Sequence, residues 1–165
     1  MTISLFIGRF QPFHKAHLSD IRLALKKSSK VIIAIGSSSE SGTRDNPFSY
    51  EERKEMIKQA LCKHNIGDYD IVPVPDINDN DRWVDHVRKI IPDFDVVYTG
   101  NSLTEKLFCD KNVKVVKVDL IPGINATEIR KRIVESKEWK ELVPVEVFEY
   151  IEKIDGIRGA CSQIR

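Results

Sequence analysis

The sequence predicts an α/β fold, in which a doubly wound five-stranded parallel sheet has helices on both faces and is followed by a C-terminal helical segment. Three observations lead to this prediction. Five short apolar runs recur along the chain, helical spacing of apolar residues separates them, and only helical patterns follow the fifth run. Alternation of this kind is typical of parallel strands joined by right-handed crossover helices.

The first two predicted strands are almost continuously apolar, whereas a strand with one wet face would alternate apolar and polar residues. Helices are therefore expected to cover both faces of the sheet. The five strands are predicted at residues 3–7, 31–35, 71–74, 96–98 and 113–118.

Four helices are predicted between the strands from apolar residues that recur on one helical face. The second of them has Glu51 and Glu52 in its first turn, where carboxylates interact favourably with the helix dipole. The four helices are expected at residues 14–27, 49–64, 81–91 and 103–109.

Capping signals organise the C-terminal segment. Asn125 is expected to cap a helix, with Glu128 three residues later in the capping-box position. Pro144 is expected to open the last helix, where its missing N–H has no cost, and Gly156 to close it.

No repeat, low-complexity tract or linker divides the chain. We therefore expect one domain over residues 1–165, with a Rossmann-like core over residues 1–120 and a helical part over residues 121–165. Trp139 is expected to pack among the C-terminal helices.

Composition excludes several classes of function. Lys plus Arg (26) nearly balance Asp plus Glu (25), which argues against bulk electrostatic binding to nucleic acid or anionic lipid. No apolar run approaches the roughly 20 residues of a membrane-spanning helix, and the N-terminus lacks the pattern of a signal peptide. Cys62, Cys109 and Cys161 fit neither a disulfide framework nor a zinc site. A cytoplasmic protein with reduced thiols is expected, with neither nucleic acid nor a membrane as partner.

The most informative segment runs from residue 8 to residue 17, Gly-Arg-Phe-Gln-Pro-Phe-His-Lys-Ala-His, between the first strand and the first helix. Phosphates bind at this place in doubly wound sheets. Gly8 lets the backbone approach a ligand, and Arg9 can bind phosphate oxygens in a bidentate way. His14 and His17 share a helix face and can donate to a phosphate as its charge grows in a transition state.

Two histidines at this spacing are, taken alone, more often surface or capping residues. A metal site is a third interpretation, but no third ligand is evident nearby. The context of strand, turn and helix favours the phosphate interpretation.

The segment resembles the His-x-Gly-His signature of the nucleotidyltransferase superfamily. In the fuller form Gly-Arg-Phe-Gln-Pro-Phe-His-x-Gly-His it is similar to that of the archaeal-type nicotinamide-nucleotide adenylyltransferases. Ala16 departs from the family's glycine, and Asn125-Ala126 from its Ser-Gly or Ser-Ser pair. Five further blocks resemble the family in the same order: Asn-Pro-Phe-Ser at 46–49 with Glu-Arg at 52–53 and Met-Ile at 56–57, residues 80–84, residues 98–101 with 107–108, residues 127–130 and residues 139–145.

The resemblance implies an enzyme that joins ATP and nicotinamide mononucleotide to give NAD and pyrophosphate. The 5′-phosphate of the mononucleotide would attack the α-phosphorus of ATP in line, and positioning with charge stabilisation would suffice for catalysis. The resemblance also implies a homo-oligomer, such as a hexamer, and Mg²⁺ that arrives bound to ATP, with no metal ligand assigned in the protein.

The resemblance also implies three groups of site residues. Stacking on a nicotinamide ring suits a tryptophan face, although Trp83 on sequence alone reads as core. Gly100 and Asn101 would hold adenine at the topological switch point, with a simple turn as the alternative. The catalytic group is His14, His17, Arg9 and Arg130, the ATP-binding group is Gly8, Phe10, Gly100, Asn101, Ile124 and Thr127, and the group for the mononucleotide is Asn80, Trp83, Asn46 and Ser37.

Other functions remain open at this stage. A sister enzyme could transfer the adenylyl group to flavin mononucleotide or pantetheine phosphate, or transfer cytidylyl groups. A non-catalytic nucleotide sensor could use the same fold. Residues 37–42 are predicted to form a mobile polar loop, and the acidic run at residues 76–81 a solvated loop beside the substrate rather than a calcium site.

Overall fold

A fully parallel five-stranded sheet forms the centre of the molecule in the computed structural model, which describes residues 1–154. Its strands are β1 (Ile3–Gly8), β2 (Lys30–Ile35), β3 (Tyr69–Pro73), β4 (Val96–Thr99) and β5 (Val115–Lys117). They lie in the order β3-β2-β1-β4-β5, so the chain leaves β1 in one direction and returns to its other side at β4. The predicted fold class is confirmed.

Within residues 1–154, six α-helices connect and follow the strands. The predicted helices agree with the structure to within two residues at each end. Gly156 and Cys161 lie outside the described residues. The helices are α1 (Lys15–Leu25), α2 (Tyr50–Lys63), α3 (Asn80–Ile90), α4 (Ser102–Asp110), α5 (Ala126–Val134) and α6 (Val145–Ile154), with a 3₁₀ turn at Lys140–Leu142 between the last two.

The sheet has an apolar core on each face. On β1, Phe6 faces the core formed with α1, α2, α5 and α6, whereas Leu5 and Ile7 face the core formed with α3 and α4. Successive side chains of a strand point to opposite faces, so an apolar run without alternation supplies both cores. Helices therefore cover both faces of the sheet, as the sequence predicted.

The predicted fifth strand is longer than the observed one. The N–H of Val113 donates to the carbonyl of Phe108 at 3.0 Å and so closes α4 instead of extending β5. The apolar run at residues 113–118 therefore contains a helix end as well as a strand, a distinction that apolar residues alone do not make.

The C-terminal capping prediction is confirmed in part. Asn125 Oδ1 accepts from the N–H of Glu128 at 2.8 Å, but the Glu128 carboxylate accepts from Arg132 Nε at 2.9 Å and does not complete a capping box. Pro144 immediately precedes α6, and its carbonyl accepts from the N–H of Val147. Trp139 is 6% exposed in the core, as predicted. Within residues 1–154, no helix is long and apolar enough to cross a membrane.

Candidate active site

A cleft of about 590 Å³ opens at the carboxyl ends of β1 and β4. The strand order reverses at β1, so the connections on its two sides diverge and leave a crevice, which is where ligands bind in open α/β sheets. Ten of the predicted site residues line it: Gly8, Arg9, His14, His17, Ser37, Asn80, Trp83, Gly100, Asn101 and Ile124.

The structure places the other four predicted residues elsewhere. Thr127 and Arg130 line a second cavity of about 300 Å³ between the β2–α2 loop and α5. Asn46 lines neither of these cavities, and within residues 1–154 its buried Oδ1 has no hydrogen-bond partner. Phe10 is buried as a whole residue, at 1% exposure, and its side chain lies in the core.

The two histidines of the motif cap helix α1 reciprocally. The N–H of His17 donates to His14 Nδ1, and the N–H of His14 donates to His17 Nδ1, both at 3.3 Å. Imidazole nitrogens thus replace the hydroxyl and carboxylate of the usual capping box. The rings stack with centroids 3.5 Å apart and an interplanar angle of 13°.

This arrangement sets the tautomer of both rings. Burial lowers the pKa of His14 from 6.5 to about 4, and burial together with the neighbouring His14 lowers the pKa of His17 well below 6.5. Both rings are therefore neutral at pH 7. Since each Nδ1 accepts a hydrogen bond, the single ring proton of each lies on Nε2. The site presents two neutral N–H donors to the cleft.

The low pKa of His14 predicts an acid-sensitive contribution to stability. A neutral buried histidine contributes fully above pH 6.5, and the contribution is lost as pH falls towards about 4, because the unfolded state then binds more protons. Asn can keep the helix cap without titrating. We therefore expect the free energy of unfolding in urea to fall between pH 7 and 4.5 by about 2–3 kcal/mol less in His14→Asn than in the wild type. Equal losses would contradict the assignment; any titration of Asp20 is common to both proteins.

Three phenylalanines hold the His17 ring. Its centroid lies 4.8 Å from that of Phe10, 5.6 Å from Phe13 and 6.0 Å from Phe6. A Cβ at Gly8 would lie 3.2 Å from the Phe10 ring, so the glycine makes room for this aromatic cluster. The motif's phenylalanines therefore support the imidazole from behind, which leaves little freedom to the ring in the cleft.

Three arginines surround the loop between β1 and α1. Burial lowers the pKa of Arg130, and it lowers the pKa of Arg53 to about 10. The charge of Arg9 is a second cause that lowers both pKa values. Arg9 is exposed and lines the cleft. Arg130 Nη1 donates to the carbonyl of Gln11 at 2.9 Å. Arg9 is therefore near enough to both other arginines for its charge to disfavour theirs, which is typical of an anion site.

The same loop is also tied to the β2–α2 loop. Gln11 Nε2 donates to the carbonyl of Phe48 at 2.8 Å, and the N–H of Phe48 donates to Gln11 Oε1 at 3.0 Å. The Asn-Pro-Phe block at residues 46–48 thus holds the loop between β1 and α1 in place through the buried side-chain amide of Gln11.

The other end of the cleft contains Trp83 and Asn80 on α3. Trp83 is half-buried and packs edge-on against Phe108, with centroids 5.6 Å apart. Asp79 caps α3 by accepting from the N–H groups of Asp81 and Arg82, both at 3.1 Å. The acidic run therefore starts the helix that carries Trp83, and part of it lines the cleft.

Sequence reasoning missed four residues of this region. Arg53 was matched to the family without a role, and Asp20, Asp119 and Arg44 were not singled out. Burial and the nearby Asp119 raise the pKa of Asp20 to about 7, and both carboxyls line the cleft. Arg44 lines the smaller cavity with Arg130. The spacing of Asp20 three residues after His17 was the available signal, since the two share a helix face.

The described residues offer no dedicated metal cluster. In residues 1–154, no group of three His, Cys, Asp or Glu side chains is arranged to hold a metal ion. The N–H donors of His14 and His17 and the guanidinium of Arg9 line the cleft and suit phosphate. The carboxyls of Asp20, Asp76 and Asp119 also line it, but they are not grouped as a metal site.

Several known proteins with similar sequences have the same name, and a family model also matches the chain. A model of the cytidylyltransferase-like family matches residues 5–154. A nicotinamide-nucleotide adenylyltransferase of Thermococcus sibiricus is 45% identical over 157 residues, covering 93% of this chain and 84% of that protein. Proteins of the same name from Pyrococcus furiosus (43% identity, 95% and 86% coverage) and Thermoplasma volcanium (40% identity, 93% and 88% coverage) are also similar.

Solved structures give the same picture of the fold. A bifunctional NMN adenylyltransferase/ADP ribose pyrophosphatase from Francisella tularensis superimposes with a TM-score of 0.85 at 28% identity, over 98% of this chain and 53% of that chain. Its complex with AMP and a manganese ion superimposes with a TM-score of 0.80 at 30% identity, over 98% and 52%. The chain thus spans about half the length of these two structures.

Proposed function

Because the chain belongs to the cytidylyltransferase-like family, we infer that it is a nicotinamide-nucleotide adenylyltransferase, which joins ATP and nicotinamide mononucleotide to give NAD and pyrophosphate. The observation that carries this inference is the stacked pair of neutral histidines at the start of α1, with Arg9 beside it in the cleft. Two N–H donors and a guanidinium at a helix N-terminus suit a phosphorus centre that gains negative charge.

The proposed mechanism needs neither a protein nucleophile nor a base. The mononucleotide 5′-phosphate is already ionised, and it attacks the α-phosphorus of ATP in line while pyrophosphate leaves. Nε2–H of His14 and of His17 would donate to oxygens of the reacting phosphate, and Arg9 would neutralise its charge. The protein's contribution is then positioning and electrostatic stabilisation.

The remaining predicted residues have proposed places along the same path. Adenine would lie by Gly100, Asn101 and Ile124 at the switch point, and the β- and γ-phosphates would extend towards Thr127 and Arg130 in the smaller cavity. Gly8 and the backbone of Phe10 would border the phosphates. The pyridine ring would lie on Trp83, with Asn80, Ser37 and Asn46 on the mononucleotide side.

The finer properties are proposals of the same kind. Mg²⁺ would be held chiefly by the ATP phosphates, because residues 1–154 contain no cluster of three or more metal-ligating side chains. We propose a cytoplasmic homo-oligomer, such as a hexamer, with ATP and the mononucleotide as its partners.

Pyrophosphate release from ATP and Mg²⁺ tests this function. Separate reactions contain nicotinamide mononucleotide, nicotinic acid mononucleotide, flavin mononucleotide or pantetheine phosphate. We expect release with the nicotinamide acceptor and formation of NAD. Release with flavin mononucleotide or pantetheine phosphate alone would identify a sister adenylyltransferase. Thermal stabilisation by ATP without release in any reaction would identify a nucleotide sensor.

A further inference from the structure

Arg53 is an arginine whose side chain is fully buried, at 0% exposure, behind the cleft. In residues 1–154 no carboxylate forms an ion pair with it. Four hydrogen bonds to backbone carbonyls satisfy it instead: Nη1 to Arg9 at 2.8 Å, Nη1 to Gly36 at 2.8 Å, Nη2 to Ser37 at 3.0 Å and Nε to Ser49 at 3.2 Å. Buried charges are normally paired, so this cage of carbonyls is unusual.

The guanidinium joins two loops at the floor of the cleft. Arg9 belongs to the loop after β1, and Gly36 with Ser37 to the loop after β2. A single nitrogen, Nη1, bonds to both loops, which lie at the carboxyl ends of neighbouring strands. The N–H of Gly36 also donates to the carbonyl of Gly8 at 2.8 Å, so one side chain of α2 reinforces a backbone link between the two loops.

The peptides that Arg53 holds precede two residues with unusual backbone. Phe10 has φ 53° and Ser37 has φ 45°, in the left-handed region that costs a non-glycine residue about 1–3 kcal/mol. The C=O and N–H of a trans peptide point in opposite directions, so the N–H groups of Phe10 and Ser37 point away from the guanidinium. Neither N–H has an acceptor within the part of the chain that the structure describes.

We propose that Arg53 is a positioning residue: its buried guanidinium holds these two peptides so that the N–H groups of Phe10 and Ser37 face the cleft and donate to a phosphate of the bound nucleotides. The inference rests on the proposed function. Arg9 and Ser37 border the cleft, and N–H groups aimed at one place are a common anion-binding device. The charge of Arg53 adds to the attraction, since its pKa of about 10 keeps it protonated at pH 7.

Amide resonances of the ¹⁵N-labelled wild-type protein give the first test, which needs no substitution. Titration with ATP and Mg²⁺, and separately with inorganic pyrophosphate, should move the amide protons of Phe10 and Ser37 downfield. The amide of Ser38 is the control in the same loop, because it already donates to Val74 at 3.2 Å. If ATP binds and the two amides move no further than Ser38, the proposal is wrong. This readout does not require turnover, so failure of the proposed function would show separately.

Arg53→Lys is the second test, because lysine keeps the charge but lacks the planar fork and has only three donors, so it cannot hold all four carbonyls. We expect kcat to fall at least about tenfold with a smaller change in KM for ATP, at a temperature where the variant is folded by circular dichroism. The Phe10 and Ser37 amide shifts should also shrink. Arg22→Lys, which changes an arginine bonded to His64 on the surface, serves as the matched control. An unchanged kcat in a folded Arg53→Lys protein would contradict the proposal and would leave Arg53 with a role in stability alone.

Discussion

Replacement of His17 by alanine is expected to lower kcat by about 10²- to 10³-fold, with a much smaller change in the KM for ATP. The Nε2–H of this ring is a donor held by three phenylalanines and stacked on His14, so it meets the transition state without reorganisation. Alanine leaves the cleft open and removes the donor. Steady-state pyrophosphate release measures the effect.

His17→Asn separates the chemical role from the structural one. Asparagine can still accept the N–H of His14 at the helix start, but it does not present a donor at the position of Nε2. We expect it to restore the melting temperature more than the activity. His64→Ala, a histidine that contacts Arg22 outside the cleft, should retain wild-type kcat. If His17→Ala keeps more than a third of the wild-type kcat, the assigned donor role fails.

Replacement of Arg130 by methionine is expected to lower kcat/KM for ATP by about 10²-fold. Its side chain is 12% exposed, and its Nη2 lies 3.8 Å from Asp45 Oδ1 and 3.4 Å from Thr127 Oγ1. Asp45 is exposed, so its ion pair with Arg130 is weak, and a phosphate, which carries more charge, can replace the carboxylate. Lysine should recover only part of the loss, because it cannot bind Gln11 and a phosphate together.

Arg132→Met is the matched control for Arg130. It lies two residues later on α5, where its guanidinium binds Glu128 and Glu141 on the surface. Exposed ion pairs contribute little, so activity should stay within about twofold of wild type. Equal losses in the two variants would mean that α5 acts by its charge or its folding and not through a phosphate contact at Arg130.

Much of the fold could be predicted from the spacing of apolar residues along the chain, because strands and helices each have their own characteristic spacing. The unalternating apolar runs at β1 and β2 predicted a sheet covered on both faces, and the two cores of the structure confirm it. The start of β5 could not be predicted in this way, because Val113 bonds back to Phe108 and the apolar pattern does not distinguish a helix end from a strand.

The site was predictable where residue type and position act directly. His14, His17 and Arg9 follow a strand and open a helix, so their place in the cleft could be expected. The conformation of Phe10 could not be expected from the sequence: its backbone is left-handed and its ring lies in the core. Arg53 could not be assigned either, because its partners are carbonyls, which every residue carries.

The reciprocal cap of His14 and His17 constrains how this chain can diverge. Each imidazole accepts the backbone N–H of the other histidine, so loss of one ring leaves that N–H without its acceptor. An uncapped helix start costs about 0.5–2 kcal/mol of folding stability. Most single substitutions at these two positions would therefore cause a folding defect together with a loss of activity. The exchanges that keep the cap are asparagine at either position, or a paired exchange to serine with glutamate three residues later. The architecture of one helical turn thus narrows the neutral routes by which the activity can be lost.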